Sequence, residues 1–572
     1  MKQKKIYKLV GLLCTAAMLL GGCGQTAVDN TPKDTLVGEV APGQEQMSGQ
    51  QETAENPVSD ATIGIALLDL DDMFSNRDKE VGHDEAADTV ITLQGNSATC
   101  NSDGVLISGS TVTITDEGTY IISGELTNGS IVVDAEDSDK LQLVLKGADI
   151  TCESSAPIYV KKADKVFITL AADTENSLAV TKEFVAIDDN NIDAVVFSKD
   201  DLTLNGSGSL KITTADGHGI VSKDDLVITG GAYTIQAAGH GLSGKDSVRI
   251  ADGTFNINAD KDGIHSENDD DTTLGFVYLA GGEYTITVGD DGIHAGAQNV
   301  IDGGNVNITK CNEGIEGQTV DIRGGNVTLV SEDDGINAAS SGTAREEATA
   351  STVGANGTQR NGKFGGRGGE NPFKVDANCY IHISGGKVDI TAGGDGVDSN
   401  GALYISGGET YVSGPENSGN GSIDFSGEGQ ITGGIFVAAG ASGMAQYFGS
   451  TSTQGVIFVN LSGKQQSGSN VILKAADGKE LVNFQTKSSY NCVIVSCPEL
   501  VQGSSYTVIA GEESQEIEMT SLIYGGNGGG MNGMPGGRGG MGGFGGGKGG
   551  MPGGQMPPEQ MPREQTSQGS VL

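Results

Sequence analysis

The pattern that decides the fold stands in residues 247–266, SVRIADGTFNINADKDGIHS, and returns in residues 276–295, FVYLAGGEYTITVGDDGIHA. In both, apolar residues alternate before a glycine turn, and an aromatic residue and an isoleucine alternate after it. Asp-Gly-Ile-His then follows. Alternation with a period of two is typical of a β-strand that buries one face. Each stretch therefore predicts three short strands separated by tight turns.

The glycine turn recurs along much of the chain. Its positions are Gly230-Gly231, Asp252-Gly253, Gly281-Gly282, Gly303-Gly304, Gly324-Gly325, Gly385-Gly386, Gly407-Gly408 and Gly433-Gly434, in steps of 22, 29, 22, 21, 61, 22 and 26. The step of 61 contains a low-complexity insertion at residues 339–372. Three short strands cannot bury an apolar face alone, whereas stacked repeats can. The sequence therefore predicts an all-β parallel β-helix of about 22 residues per coil.

Two other β architectures fit the sequence less well. A calcium-binding nonapeptide roll would show G-G-x-G-x-D repeats, and the sequence has none. A β-sandwich would not hold a 22-residue phase through several repeats.

The repeat also sets the predicted organisation of the chain. We expect the β-helix over residues 63–440, with irregular first coils to about residue 195. Residues 441–523 lose the repeat and predict a small C-terminal β cap domain, because an open solenoid end exposes unpaired strand edges. Residues 524–572 are rich in Gly, Met and Pro and predict a disordered tail.

The N-terminus predicts export and lipidation. Residues 1–22 carry four lysines and then an apolar run of 12 residues, shorter than the roughly 20 that span a bilayer. Leu20-Gly21-Gly22-Cys23 resembles a bacterial lipobox, so we expect a lipid on Cys23 and a disordered tether over residues 23–62. The expected location is the extracellular face of the bacterial cell membrane. An ordinary secretory signal with a chance cysteine is the alternative.

The composition excludes one class of partner and raises a question about charge. The net charge is −41, 92 of the 572 residues are glycine, and there is no Trp. A nucleic-acid partner is not expected, because it requires a basic footprint. So many carboxylates must be solvated or neutralised by cations. We expect a monomer, buried free thiols at most cysteines, and Cys492 with Cys497 as the pair if one disulfide forms.

The third turn of each repeat carries the candidate chemistry. The residue before its glycine is, in order, His218, His240, Asp262, Asp291, Glu313, Asp334 and Asp395. The residue two after that glycine is Ser243, His265, His294, Glu316, Asn337 and Asp398 in the later repeats. Stacked coils would bring these carboxylates about 5 Å apart, where like charges raise each other's pKa and a hard cation relieves the repulsion.

Calcium suits a carboxylate ridge, because it takes six to eight oxygen ligands in flexible geometry. The predicted calcium ligands are Asp262, Asp290, Asp291, Glu313, Glu316, Asp333, Asp334, Asp395 and Asp398. Solvated acidic corners are the alternative, since Asp-Gly is also a common turn dipeptide. A transition-metal site that uses His265 and His294 is a further one.

A second candidate surface lies on the outward face of the run after the glycine turn. Its residues are Thr234, Asn256, Thr285, Asn307, Thr328, Asp389 and Tyr411. This face could bind sugar or be the ordinary solvent face of a solenoid. Tyr233, Phe255 and Tyr284 have inward phase and belong to the predicted core. The outward phase of Tyr278, Tyr404 and Tyr411 makes them candidates for stacking on sugar rings.

Several motifs together resemble a known family. They are residues 72–78 (DMFSNRD), residues 116–124 (DEGTYIISG), the Asp-Gly-Ile-His repeats at 262–265 and 291–294, and Ser384-Gly385-Gly386. Over about residues 65–520 the chain resembles the bacterial carbohydrate-binding domain-containing proteins. The resemblance implies a right-handed parallel β-helix, similar to pectate-type polysaccharide lyases, with calcium sites. It also implies binding of acidic polysaccharide such as pectin, and of cellulose, at the cell surface. The lack of Trp speaks against a flat aromatic platform for crystalline cellulose.

Three functions are compatible with these features. The first, which we predict, is a non-catalytic surface lipoprotein that binds polysaccharide through a calcium-stabilised β-helix. The second is a calcium-dependent polysaccharide lyase, for which Lys261 and Lys310 lie near the acidic column as candidate bases. The third is a structural adhesin or assembly protein of the cell surface.

Overall fold

The structure is a computed structural model that describes Leu68, residues 70–340 and residues 375–525. The predicted signal peptide, the lipidation site Cys23, the tether, nearly all of the insertion and the C-terminal tail lie outside the described residues.

The described chain is built almost entirely of strands, with one short 3₁₀ turn at Arg77–Lys79. The strands are β1 (Thr89–Gly95), β2 (Ala98–Thr99), β3 (Val105–Ser108), β4 (Thr111–Ile114), β5 (Gly118–Leu126), β6 (Ser130–Asp134), β7 (Lys140–Cys152), β8 (Ile158–Lys162), β9 (Lys165–Leu170), β10 (Glu175–Val180), β11 (Ala194–Ser198), β12 (Asp201–Gly206), β13 (Ser209–Thr214), β14 (His218–Ser222), β15 (Asp225–Ile228), β16 (Ala232–Ala237), β17 (Leu242–Gly244), β18 (Ser247–Ile250), β19 (Thr254–Ala259), β20 (Ile264–Ser266), β21 (Phe276–Leu279), β22 (Glu283–Val288), β23 (Ile293–Ile301), β24 (Asn305–Cys311), β25 (Ile315–Ile322), β26 (Asn326–Ser331), β27 (Ile336–Ala338), β28 (Tyr380–Ile383), β29 (Lys387–Ala392), β30 (Val397–Ser399), β31 (Ala402–Ile405), β32 (Glu409–Ser413), β33 (Asp424–Phe425), β34 (Gly429–Ile431), β35 (Ile435–Gly440), β36 (Val456–Gln465), β37 (Asn470–Ala475), β38 (Glu480–Gln485), β39 (Tyr490–Ser496), β40 (Ser505–Ala510), β41 (Glu513–Glu518) and β42 (Ile523–Tyr524).

The coils of the solenoid contribute strands to three parallel sheets. Sheet 1, the third run of each repeat, contains β4, β6, β8, β11, β14, β17, β20, β23, β25, β27, β30 and β33. Sheet 2, the run before the glycine turn, contains β5, β7, β9, β12, β15, β18, β21, β23, β25, β28, β31 and β34. Sheet 3, the run after that turn, contains β1, β5, β7, β10, β13, β16, β19, β22, β24, β26, β29, β32 and β35. The predicted all-β parallel β-helix is confirmed.

The core is a set of side-chain ladders inside the coils. Tyr233, Phe255 and Tyr284 stack with ring centroids 5.1 and 4.9 Å apart, and each is at most 2% exposed. The two tyrosine hydroxyls donate to the carbonyl oxygens of Gly230 and Gly281, so no buried hydroxyl of this stack lacks a partner. The predicted inward phase of these rings is confirmed.

Glycines serve two different corners for two different reasons. Between sheets 2 and 3, Gly282 has φ +103°, a conformation that L side chains rarely adopt. Between sheets 3 and 1, a Cβ on Gly292 would meet the Gly314 carbonyl oxygen and Ile308 Cδ1 at 2.6 Å each. This second corner therefore needs glycine because successive coils approach closely there.

The 61-residue step is a single coil. Asn326 pairs with Lys387 in sheet 3, and Ile336 pairs with Val397 in sheet 1. The register of the solenoid is therefore kept on both sides of the insertion.

Antiparallel strands cover the C-terminal end of the solenoid. The last strand of sheet 3, β35, pairs with β39, which also pairs with β36, and β37, β38, β40 and β41 form a separate sheet. Cys492 packs in the solenoid core, whereas Cys497 packs in the apolar cluster of this C-terminal part, and both are free thiols. The predicted Cys492–Cys497 pair is therefore wrong, because the two side chains lie in different clusters.

An N-terminal segment, residues 70–80, lies on the outer face of sheet 2 and is called the strap. The carboxylate of Asp78, a 3% exposed residue, is 2.8 Å from Lys165 Nζ and 2.7 Å from Thr203 Oγ1. Met73 and Phe74 pack on the side chain of Tyr278. The strap thereby ties several coils together from outside. In the described part of the chain, no helix has the length and apolar character needed to cross a membrane.

Candidate functional site

The candidate site runs along the corner where sheet 3 passes into sheet 1, and is called the ridge. In sheet 1, Ile264 pairs with Ile293, which pairs with Ile315, and this pairs with Ile336. Because these residues are in register, the side chains on either side of them also stack from coil to coil. The two columns predicted from the sequence therefore lie next to each other.

Most of the column before the glycine accepts backbone amides of the next coil. The accepting pairs are His218 Nδ1 with His240 N–H (2.8 Å), His240 Nδ1 with Asp262 N–H (3.3 Å), Asp262 Oδ1 with Asp291 N–H (3.0 Å) and Asp334 Oδ1 with Asp395 N–H (2.6 Å). Histidine and aspartate both provide an acceptor at this position, and lysine does not. This structural role was not found from the sequence, although the alternation of His and Asp in one column is compatible with it.

Four imidazoles form one continuous stack, called the histidine stack. The ring centroids of His218, His240, His265 and His294 are 4.8, 4.2 and 5.0 Å apart along the stack. The sequence placed the first two in one column and the last two in the other. The structure brings them together because a ring before the glycine in one coil reaches the same place as a ring after the glycine in the next.

The N-terminal half of the ridge, the imidazole half, combines this stack with carboxylates. Asp262 Oδ2 lies 2.7 Å from His265 Nδ1 and 3.0 Å from His240 Nδ1. Burial opposes ionisation of Asp262, but the two imidazoles outweigh it and lower the pKa of the carboxyl. Farther along, His294 Nδ1 is 2.6 Å from Glu316 Oε2 and 3.3 Å from Asp291 Oδ2.

His294 lies between the two carboxylates of its group. Burial opposes its protonation, but hydrogen bonds with Asp291 and Glu316 raise its pKa well above the ordinary value. Burial raises the pKa of Asp291 to about 8, and the charges of Asp262 and Glu316 add to this effect. The titrations of His294, Asp291 and Glu316 are therefore coupled, because the three side chains are buried and close together.

The C-terminal half of the ridge, the oxygen half, has oxygen donors and no histidine among its members, which are Glu313, Asp334, Asn337, Asp395 and Asp398. Carboxylate oxygens of Asp334, Asp395 and Asp398 lie within 4.8 Å of one another. Burial and the charge of Asp395 raise the pKa of Asp334 to about 9. Burial and the charges of Glu316 and Asp291 raise the pKa of Glu313 to about 8.

Asn337 adds an oxygen to this half. Its Nδ2 donates to Glu313 Oε2 at 2.9 Å, while its Oδ1 is buried and accepts no hydrogen bond within the described chain. Asn337 is only 2% exposed, so this oxygen is cut off from bulk water. A buried acceptor without a partner costs free energy that a cation would recover.

The donor chemistry of the oxygen half fits calcium. Carboxylate and amide oxygens are hard ligands, and calcium tolerates the irregular geometry that stacked coils impose. The carboxylates with raised pKa values would otherwise have to stay protonated or repel each other. A calcium ion bound there would replace those protons.

Seven of the nine predicted ligands fall into three groups, two of which share Asp291. One group is Asp262, Asp290 and Asp291, a second is Asp291 and Glu316 with His294, and the third is the Asp334 group of the oxygen half. Glu313 accepts a hydrogen bond from Asn337, which pairs in sheet 1 with Asp398 of the third group. Asp333 is partly exposed beside Asp334 and belongs to none of these three groups.

A further acidic group was not found from the sequence. Asp201, Asp224 and Asp225 meet at the corner between sheets 1 and 2, where burial and nearby carboxylates raise the pKa of Asp224 to about 7. Asp225 already pairs with Arg249 at 2.6 Å. The repeated Lys-Asp-Asp at residues 199–201 and 223–225 is the signal that could have found it.

The rings of the three tyrosines predicted to stack on sugars already contact other side chains of the protein. Tyr278 is 7% exposed and lies against Phe74 of the strap, and Tyr404 is 8% exposed with its ring perpendicular to that of His382. Neither ring offers a free face, which corrects the prediction for both. Tyr411 is partly buried, with its ring stacked on Phe484 of the C-terminal part at 5.2 Å. For Tyr278, the covering ring of Phe74 lies about 200 residues earlier in the sequence, so the phase of the repeat does not reveal it.

The predicted polar face of sheet 3 is exposed over its first four positions, whereas Thr328, Asp389 and Tyr411 are partly buried. Thr234, Asn256, Thr285 and Asn307 are exposed, and a groove of about 500 Å³ runs beside the last three of them. Asn305 Nδ2 donates to Glu283 Oε1 at 2.6 Å along the same groove. Both interpretations of this face, sugar-binding and solvent-facing, stay open.

Comparison with known proteins places this architecture in a family. A family model described as "Carbohydrate-binding domain-containing protein" matches residues 108–357 and 310–421. A carbohydrate-binding domain-containing protein of Acetivibrio thermocellus is 45% identical over 195 residues, which cover 34% of this chain and 68% of that protein.

One solved structure is also similar, the gadolinium derivative of the polysaccharide lyase-like protein from C. thermocellum. It shares 34% sequence identity with a TM-score of 0.36, over 42% of this chain and 94% of that chain. The resemblance expected from the sequence motifs is confirmed by the family match. The chain belongs to the carbohydrate-binding domain-containing protein family.

Proposed function

We propose that this protein binds an acidic, uronate-rich polysaccharide through calcium held by the oxygen half of the ridge, and that it does not cleave the polysaccharide. The observation that carries the proposal is the Asp334, Asp395 and Asp398 group, whose carboxylate oxygens lie within 4.8 Å of one another. The family supports the carbohydrate partner.

Two features of the oxygen half support an ion there in preference to a merely solvated acidic corner. The pKa of Asp334 rises to about 9 through burial and the neighbouring Asp395, which solvated carboxylates do not show. The buried Oδ1 of Asn337 has no hydrogen-bond partner in the described residues. Glu313, Asp334, Asn337, Asp395 and Asp398 would hold the ion.

Charge explains why the glycan and the ion are linked. The chain has a net charge of −41, so a uronate polymer approaching it meets repulsion. Bound calcium would supply the positive charge on which protein and uronate carboxylates can meet. The coil repeat also presents the ridge residues as a row along the solenoid axis, which suits a linear polymer.

The cellular setting is part of the same proposal. The basic and apolar residues 1–22 followed by Cys23 support a lipid anchor on the outer face of a bacterial membrane. A tethered solenoid could then hold polysaccharide at the cell surface.

The arrangement of the candidate bases supports binding without cleavage. A β-elimination requires a base positioned over the sugar. Lys261 is exposed, and Lys310 pairs with Glu332 at 3.2 Å where both side chains are more than half exposed. Exposure of this kind is typical of solvated surface lysines and not of a base positioned over a bound sugar.

The test is retardation of the full chain in native gels that contain polygalacturonate, with calcium or with chelator. We expect retardation only with calcium, and its loss in the double variant Asp334→Asn with Asp395→Asn. Asp149→Asn is the charge control, because Asp149 is exposed on β7 away from the ridge. Equal retardation in chelator would overturn the calcium bridge. Release of unsaturated, ultraviolet-absorbing products from the polymer would show a lyase instead.

A further inference from the structure

The imidazole half of the ridge differs in donor chemistry from the oxygen half. We propose that His240, Asp262 and His265 form a binding site for a transition-metal ion such as Zn²⁺, separate from the calcium site. Imidazole nitrogen suits zinc, copper and nickel, whereas calcium prefers oxygen. Two imidazoles and a carboxylate are also a common set of protein ligands for zinc.

The three donor atoms already converge. Asp262 Oδ2 lies 2.7 Å from His265 Nδ1 and 3.0 Å from His240 Nδ1, and all three atoms lie within 4.8 Å of one another. Ligand atoms around a tetrahedral zinc are about 3.4 Å apart, given metal–ligand distances near 2.1 Å. Small side-chain movements would therefore open the group to that size.

One ring nitrogen of this group, His240 Nδ1, has two close neighbours. His240 Nδ1 lies 3.3 Å from the backbone N of Asp262. That same nitrogen faces Asp262 Oδ2 at 3.0 Å. Both Nδ1 atoms thus converge on Asp262 Oδ2, and a metal ion that replaced the protons between them would bind all three atoms.

Neighbouring groups hold the carboxylate in place. Asp262 Oδ1 accepts the N–H of Asp291 at 3.0 Å, which leaves Oδ2 for the metal. Glu267 Oε2 is 3.9 Å from His265 Nε2, on the ring nitrogen that would not bind the ion. A carboxylate that accepts a hydrogen bond from that nitrogen orients a metal-ligating histidine, and Glu267 would have to approach to about 3 Å to do so.

The histidine stack predicts how the site must adjust. The rings of His240 and His265 lie 4.2 Å apart with planes 20° from parallel, and the Nδ1 atoms of both contact Asp262 Oδ2. Binding through both nitrogens requires one ring to turn about its Cβ–Cγ bond. The side chains are 14% and 18% exposed, so solvent and the ion reach them.

Zinc titration of the full chain, with calcium present in excess, tests the proposal. We expect one tight zinc ion per chain and, for His240→Gln and His265→Gln, a loss of affinity of at least about 100-fold. His83→Gln is the control, because His83 is exposed and far along the chain from the ridge, and it should bind zinc like the wild type. Unchanged zinc affinity in both ridge variants would overturn the proposal.

Copper-loaded protein gives a readout that does not depend on affinity or on the stability of a variant. Electron paramagnetic resonance should show two nitrogen ligands in the wild type and one in either folded variant. A wild-type spectrum without nitrogen coupling would also overturn the site. Calcium-dependent retardation by polygalacturonate should persist in His265→Gln, so failure of this proposal and failure of the proposed function are distinguishable.

Discussion

Asp334 Oδ1 accepts the backbone N–H of Asp395 at 2.6 Å, although 61 residues separate the two in sequence. Ile336 and Val397, two residues after each of them, pair in sheet 1. The aspartates therefore occupy equivalent places in successive coils, on either side of the insertion. This keeps the oxygen half of the ridge continuous where the sequence repeat is interrupted.

The first prediction concerns the stability of Asp334→Asn. Because burial and Asp395 raise the pKa of Asp334, the ionised carboxylate destabilises the folded state without an ion. Asparagine has nearly the same shape, keeps the acceptor for Asp395 and carries no charge. We expect this variant to melt at a higher temperature than the wild type in chelator, and to gain less from calcium. Thermal melts followed by circular dichroism measure both. A variant that melts lower in chelator and gains as much from calcium contradicts the prediction.

The second prediction concerns pH. The pKa values of Asp334, Asp291 and Glu313 rise to about 9, 8 and 8, mainly through burial. Between about pH 4 and about pH 9 these carboxyls hold more protons in the folded than in the unfolded chain, so their contribution to the free energy of unfolding falls as pH rises. Asp334→Asn should make the fall shallower in chelator than in the wild type. Urea unfolding across this range tests it, and identical slopes for the two proteins speak against it.

The third prediction concerns the aromatic ladder in the core. Phe255 is 1% exposed and stacks between Tyr233 and Tyr284. Phe255→Ala should lower the free energy of unfolding by about 3–5 kcal/mol, because it removes buried area and leaves a cavity between two rings. Thr234→Ala, on the exposed face of the same sheet, should change it by less than about 0.5 kcal/mol. Chemical denaturation compares the two, and similar small losses would argue against the ladder as a stabilising element.

The fourth prediction concerns the strap. Hydrogen bonds with Lys165, Thr203 and Ser75 overcome the opposing effect of burial and lower the pKa of Asp78 to about 2. Asp78→Ala would leave Lys165, whose side chain is 13% exposed, without that partner, and should cost about 3–5 kcal/mol.

A surface pair on the same segment provides the control for the strap. Arg77 and Glu80 are 3.0 Å apart with largely exposed side chains, so Glu80→Ala should cost less than about 1 kcal/mol. Equal effects of the two substitutions in urea unfolding would show that the buried contacts of Asp78 do not hold the strap.

The solenoid could be predicted from sequence because its information is local and repeated. Val277 and Leu279, or Tyr284 and Ile286, alternate within a few residues of a glycine turn, and the same phase returns in each coil. The position of Asp262 and Asp334 on one ridge follows from that phase alone. The repeat alone is enough to predict that the coils carrying these two residues stack.

Other features depend on contacts that sequence phase does not contain. Tyr278 has outward phase, but the strap, some 200 residues earlier in the chain, covers its ring. His240 and His265 belong to different columns of the repeat, and their stacking depends on side-chain directions at a corner. The burial of Asn337 Oδ1 also depends on side-chain directions, so it could not be predicted from the sequence.

Calorimetric titration of a uronate oligosaccharide into the full chain tests the central claim most directly. It is carried out once with calcium-loaded protein and once after chelation. The account predicts saturable heat with the calcium-loaded wild type, and none after chelation or in the Asp334→Asn, Asp395→Asn double variant. Saturable heat of the same size and affinity in chelator would contradict it.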